Sequence, residues 1–574
     1  MKKDEITRRT LFSSGVAATA ASVLNHAVAA YQGTNTVDAG PHPELKVHSI
    51  TDVQNQLTSG DITSVDLTQR YLDRIAALDS DGPMLSAVLE LNPDALDIAA
   101  ELDAERAEGN VRGPLHGVPI ILKDNFDTAD AMHTTAGSLA LMDSTPPQDA
   151  TVVQRLREAG AVIIGKSNLS EWANMRGFQS SSGWSARGGV VKHPFASLRN
   201  PSGSSSGSAV AVSAGFCTIA LGTETNGSIV CPASVNGVVG FKPTVGLTSR
   251  AGVIPISHSQ DSTGVLAKTV TDVAIALNAM VGVDDRDEAT AASEEHAATD
   301  FVAELDSNAL QGVRLGVPSN FGFVGYSNKA DAVCAGVVKS LESLGAEVVM
   351  DIEIPTADQL NEVPGAFDRM VYEFKRDLNA YLAERGDPDF ATLTDLIAFN
   401  NEHADEELRY FSQNIFEMAD ATSDDDAEKM QELSDRLNRL SREEGIDAVL
   451  AEHNLDALIA PTMPPASMTD LANGEKFMGA SSGLSATAGY PLITVPAGLA
   501  HGLPVGLSIF GTAWSDAKLL SLAYAWEQAT QMYRQPGFIE GGIAEDPNAP
   551  VYELPPVFDT PATPAATPAA TPIS

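Results

Sequence analysis

Two short runs, Val118-Pro119-Ile120-Ile121-Leu122 and Ala161-Val162-Ile163-Ile164, have the length and the β-branched content of strands buried inside a sheet. Each leads into a lysine, Lys123 and Lys166. Between and before them the apolar period changes to that of a helix: Leu67, Tyr71, Leu72, Ile75 and Leu78 share one face, so a helix is expected to start near Ser64. A second is expected from Asn92-Pro93, where asparagine accepts free backbone donors and proline occupies the first helical position, with Leu96, Ala99 and Leu102 on its apolar side. Buried strands alternating with amphipathic helices argue for an α/β layered fold with an extensive sheet.

The ends of the chain read differently. Thr7-Arg8-Arg9-Thr10-Leu11-Phe12 precedes a weakly apolar stretch closing at Ala27-Val28-Ala29-Ala30, the pattern of a twin-arginine export signal, so residues 1–30 are expected to direct the protein out of the cytoplasm. Residues 31–45 read as a connector, 46–540 as the folded domain, and 541–574 as a low-complexity, disordered tail in which Thr-Pro recurs through Thr560, Thr563, Thr567 and Thr571. No later stretch reaches the ~18 apolar residues of a further membrane span. The formal net charge of −40 repels phosphate backbones and anionic lipid, which argues against a nucleic-acid partner. Three scattered cysteines, Cys217, Cys231 and Cys334, provide neither a disulfide framework nor a zinc site. Paired carboxylates at a telling spacing and H-E-x-x-H are also missing, so no metal or other cofactor is expected.

Two loops of small polar residues carry the chemistry. The first is Ser202-Gly203-Ser204-Ser205-Ser206-Gly207-Ser208 and the second Gly222-Thr223-Glu224-Thr225-Asn226-Gly227-Ser228. A single Ser/Gly run is usually only a flexible connector. Two runs, separated by a segment that can pack as helix and strand, bring two backbone-rich turns to one end of a sheet, where small side chains let a substrate approach N–H groups. Gly222 and Gly227 also have the outer spacing of a phosphate loop, but Ser228 stands where that motif needs its lysine.

These residues resemble the amidase signature family: a lysine closing an apolar strand in Gly117-Val118-Pro119-Ile120-Ile121-Leu122-Lys123, a Gly/Ser loop, and a second loop ending Gly-Ser-Ile. The likeness continues through His133-Thr134-Thr135-Ala136-Gly137-Ser138, Gly165-Lys166-Ser167-Asn168 and Gly240-Phe241-Lys242-Pro243-Thr244. Within the family it is nearest to the bacterial peptide amidases, through Ser182-Gly183-Trp184-Ser185-Ala186-Arg187 and Gly511-Thr512-Ala513-Trp514. The resemblance implies a large mixed central β-sheet covered by helices on both faces. It also implies an amide-hydrolysing Ser-Ser-Lys triad: Ser228 as nucleophile, Ser204, carried on a cis peptide, as bridge, and Lys123 as base. Thr225, Asn226, Gly227 and Ser228 would then supply the oxyanion hole, with Asn226 a departure from the glycine or aspartate of relatives.

A lysine acts as base only when neutral, so Lys123 must lose ~3 units from a free value near ~10.4, a demand of about 4 kcal/mol on burial and its surroundings. His133, His193 and His258 are read as supporting groups, since the lysine and serines already account for the chemistry. Two other readings stay open: the glutaminase component of a tRNA amidotransferase, and a secreted binding protein that keeps the fold without turnover.

Overall fold

The computed structural model describes residues 49–543 and 550–558. The expected export signal and connector lie outside them, as does most of the Thr-Pro tail.

The α/β expectation holds. A mixed sheet runs in the order β1 (Val88–Leu91), β3 (Val162–Ser167), β2 (Pro119–Lys123), β6 (Ile219–Glu224), β8 (Ser262–Ala267), β7 (Val239–Lys242), β12 (Leu492–Ala500), β13 (Leu503–Phe510), β11 (Ala457–Pro461), β9 (Arg314–Pro318), β10 (Glu347–Ile352). A twelfth strand, β14 (Tyr552–Glu553), pairs with β12, and β4 (Trp184–Ser185) and β5 (Gly189–Val190) form a separate hairpin. The central strands β2, β3, β6 and β8 have fully apolar, buried stretches because helices flank the sheet and leave little of it to water. β2 lies parallel to both β3 and β6, and β6 lies antiparallel to β8.

The helix expected near Ser64 spans Ser64–Ile75 and is capped by the Thr63 hydroxyl together with the Asp66 carboxylate. The next begins later than Asn92 and spans Ala95–Ala107. Asn92 is occupied elsewhere: its amide donates to Ile163 O on β3 at 2.8 Å, and its Oδ1 accepts from Asp94 N at 3.0 Å, a turn that precedes the helix.

The segment placed by sequence in the tail packs further than residue 541. Tyr552 and Glu553 add to the edge of the β12 pairing, Ser340 Oγ donates to Pro556 O at 2.7 Å, and Arg534 pairs with Glu553. Tyr552 and Phe558 pack on the core and Leu554 lies against Gly336, apolar side chains that an Ala/Thr/Pro repeat lacks. Among the described residues no helix is long and apolar enough to cross a membrane.

Candidate active site

β2 and β6 end side by side, so Lys123, the last residue of β2, faces the loop that follows Glu224, the last residue of β6. Both the Lys123 and Ser204 side chains lie in fully buried residues, whereas Ser228 keeps 8% of its surface open. Lys123 Nζ is 2.8 Å from Ser204 Oγ and 2.8 Å from Thr223 Oγ1, and Asn125 Nδ2 donates to the same threonine hydroxyl at 2.9 Å. Burial lowers the Lys123 amine to about 7, against the opposing pull of the Asp261 and Glu224 carboxylates. The shift demanded by sequence reasoning therefore has its cause in place: an apolar strand carries the amine into the interior and leaves it only hydroxyl partners and one longer carbonyl contact.

The serine loop is stitched down on several sides. The Gly203–Ser204 peptide is cis. Ser170 N donates to Ser204 O at 3.0 Å, and Ser205 N donates to Ser228 O at 3.0 Å, which ties the two loops together directly. The helix Ser206–Ala214 leaves this loop, and Ser208 Oγ anchors it to Leu221 O on β6 at 2.8 Å. Its Gly207 is a point of close approach, since a Cβ there would lie 2.3 Å from Ala87 O and 2.4 Å from Asn168 O.

On the second loop, Glu224 Oε2 accepts the N–H groups of Ile229 and Val230 at 2.8 and 3.0 Å, holding the start of the short helix Val230–Val235 against β6. Gly227 has φ +83, and an added Cβ would meet Cys231 Sγ at 2.8 Å, so the tight turn before Ser228 requires glycine. Asn226, the departure from the family pattern, accepts a 2.8 Å hydrogen bond from Ser482 Oγ through its Oδ1. Among the described residues, the backbone N–H groups of Thr225, Asn226, Gly227 and Ser228 have no acceptor, and the Ser228 hydroxyl has no partner. Four consecutive donors left free beside an open hydroxyl form a cradle for a developing oxyanion.

The structure thus brings Lys123, Ser204, Ser228 and the Thr225–Ser228 amides to one place. The Lys123 amine and the Ser204 hydroxyl lie within hydrogen-bond distance of each other. Among the described residues the hydroxyls of Ser204 and Ser228 share no hydrogen bond. None of the three histidines hydrogen-bonds Lys123, Ser204 or Ser228. His193 is buried, held down to about 4 by burial, with Nε2 on Val235 O; His133 pairs with Glu90; and His258 lies 3.5 Å from Asp377. All three cysteines are buried, and burial pushes their thiols up. Among the described residues no group of three or more His, Cys, Asp or Glu side chains converges as a metal site. Sequence reasoning passed over Thr223, which stands in a quoted motif, and Ser482, which no local signal links to Asn226 across 256 residues.

The amidase family model matches residues 66–520. The structure superposes on native peptide amidase from Stenotrophomonas maltophilia with a TM-score of 0.82 at 48% identity, covering 87% of this chain and all of that one. A probable amidase of Arabidopsis thaliana is 42% identical over 503 residues, 86% of this chain and 91% of its own length. A glutamyl-tRNA(Gln) amidotransferase chain from a Marinomonas species is 34% identical, covering 85% of this chain and 98% of its own length. The chain belongs to the amidase signature family and is an amidase.

Proposed function

We propose that the protein hydrolyses a carboxamide, either a C-terminal peptide amide or a small primary amide, to carboxylate and ammonia through an acyl-enzyme on Ser228. The observation that carries this reading is the buried Lys123 amine, brought to about 7 and set 2.8 Å from Ser204 Oγ beside a loop of unpaired amides. Neutral Lys123 takes the Ser204 proton as Ser204 takes that of Ser228, and Ser228 Oγ bonds to the carbonyl carbon. The carbonyl oxygen becomes an oxyanion held by the Thr225–Ser228 amides, each such donor contributing roughly 3 kcal/mol to the transition state. The proton returns along the same path to the leaving nitrogen, the C–N bond breaks, and ammonia departs. Water then adds to the acyl carbon by the reverse relay and releases Ser228.

The 48% identity to a peptide amidase favours the peptide-amide form of the substrate. Mass spectrometry of products from mixed peptide amides and free small amides identifies the bond cut: a gain of about one mass unit per cleaved primary amide is expected, with none for Ser228→Ala. Equal turnover by Ser228→Ala would overturn the nucleophile assignment. The amidotransferase reading has the 34% relative in its favour, and the net charge of −40 against it, since a tRNA partner would meet a repulsive field. Export is part of the proposal and rests on Arg8-Arg9 and the small-residue stretch ending at Ala30; N-terminal sequencing of protein recovered outside the cytoplasm tests it.

A further inference from the structure

Thr225 is the first of the four free amides, and its position is fixed from two sides. Gln260 Nε2 donates to Thr225 O at 3.1 Å, and the Thr225 hydroxyl donates to Asp261 Oδ1 at 2.5 Å. The other Asp261 oxygen accepts the N–H groups of Ile256 and Ser257 at 2.8 and 2.9 Å, so this carboxylate clamps the loop to a turn that enters β8. β8 pairs with β6 at Ser262 and Glu224, which makes the clamp an extension of the sheet. A small cavity is lined by Asn125, Thr223, Thr225, Arg250, His258 and Asp261, so the Asp261 carboxylate and the Thr223 hydroxyl bound to Lys123 Nζ face one space. Burial pushes the Asp261 carboxyl up, and the three donors around it work against that shift by favouring the ionised form.

We propose that Asp261 is a positioning residue of the reaction, tethering the Thr225 end of the amide-lined loop and placing a negative charge beside the amine of Lys123. This deepens the proposed function and rests on Lys123 acting as the base. Asp261 opposes the effect of burial on Lys123, holding the amine higher than burial alone would leave it. The other charges around the clamp are Glu224 on β6, Arg250 in the preceding loop, His258 within the turn, and Glu373 and Asp377 on the helix Ala366–Arg385.

The test is the rate at which a fluorophosphonate probe labels Ser228 as a function of pH, a readout independent of substrate identity. Asp261→Asn keeps the shape and removes the charge, so the acid limb of the profile is expected to move to lower pH by about one unit. Thr225→Val removes the tether alone: labelling is expected to slow on the order of tenfold with the limb unmoved. An unmoved limb in Asp261→Asn, or wild-type labelling in Thr225→Val, overturns the corresponding half of the proposal. Should Asp261→Asn fail to fold, Asp261→Glu keeps the charge while misplacing the tether, and slow labelling with a wild-type limb is then the supporting result; wild-type labelling by that variant contradicts the tether. Lys123→Met separates this proposal from its foundation. If that variant labels at the wild-type rate, the base assignment itself fails whatever Asp261 does.

Discussion

Lys123, the last residue of β2, and Lys166, the last but one of the parallel strand β3, follow similar apolar runs and are equally buried, yet their hydrogen-bond surroundings differ in kind. Lys166 Nζ donates to Phe126 O at 2.8 Å, His133 O at 2.9 Å and Thr134 Oγ1 at 2.8 Å. Carbonyl oxygens only accept, and the Thr134 hydroxyl already donates to Phe126 O at 3.0 Å, so this tripod asks for three N–H donors, and only an ammonium has them. Burial lowers Lys166 too, but Asp124, Asp127, Asp130 and Glu90 all pull it back. Lys123 sits between two hydroxyls, Ser204 and Thr223, which can donate as well as accept. A neutral amine fits there, and the proton it lacks can arrive from Ser204. Burial alone therefore does not make a base of a lysine; the chemistry of its hydrogen-bond partners decides.

Substitutions at the two positions sharpen this contrast. The largest effect is expected for Lys123→Met and Ser228→Ala, each lowering amide turnover by about 10⁴-fold or more while the circular dichroism of the folded protein stays near wild type. Lys166→Met should do the reverse in kind. It removes the donor to the buried His133 carbonyl and Thr134 hydroxyl and one of the two donors to Phe126 O, so a loss of about 3–5 kcal/mol in chemical denaturation is expected, with activity falling only as the folded fraction falls. Wild-type stability in Lys166→Met would erase the distinction.

A third consequence appears in the pH dependence of stability. The folded-state value of Lys123 is depressed to about 7, so between that pH and the unfolded lysine's ~10.4 the unfolded chain binds a proton that the folded chain does not. That makes the lysine's contribution to stability rise with pH across this window, and its full cost is present below it. Other buried groups titrate as well, so the informative quantity is the difference between wild type and Lys123→Met: the variant is expected to gain relative stability as pH falls from about 10 to about 7. A difference independent of pH would mean that Lys123 is protonated in the folded protein. The smallest effect belongs to Cys231→Ala. The thiol lies beside Gly227, but burial holds it protonated, so turnover within about threefold of wild type is expected.

The readable part of this molecule was the part whose chemistry is local. Runs of β-branched residues announce β2 and β3, and the Gly/Ser loops announce themselves because glycine is needed where Gly227 turns and where Gly207 meets other backbone. With the resemblance, Lys123, Ser204 and Ser228 could be nominated from sequence together with the loop amides, and the structure brings them to one place. Long-range partners could not. Asp261 reaches Thr225 across 36 residues and Ser482 reaches Asn226 across 256, and neither has a spacing that marks it before the strands are paired. The start of the helix at Ala95 was missed for a related reason: Asn92 has the chemistry of a cap, but Ile163 O on a neighbouring strand claims its amide. The packed segment at residues 550–558 was hidden by the composition of the repeat that follows it.

The central claim is that Lys123 is an uncharged amine at the pH of catalysis and delivers its basicity through Ser204. Following the Lys123 amine by NMR in lysine-labelled protein, assigned with Lys123→Met, while recording the pH profile of Ser228 labelling by a fluorophosphonate, tests it most directly. The account predicts a titration near pH 7 that coincides with the acid limb of labelling. An amine that stays protonated to about pH 10 while Ser228 reacts fully at about pH 8 would contradict it.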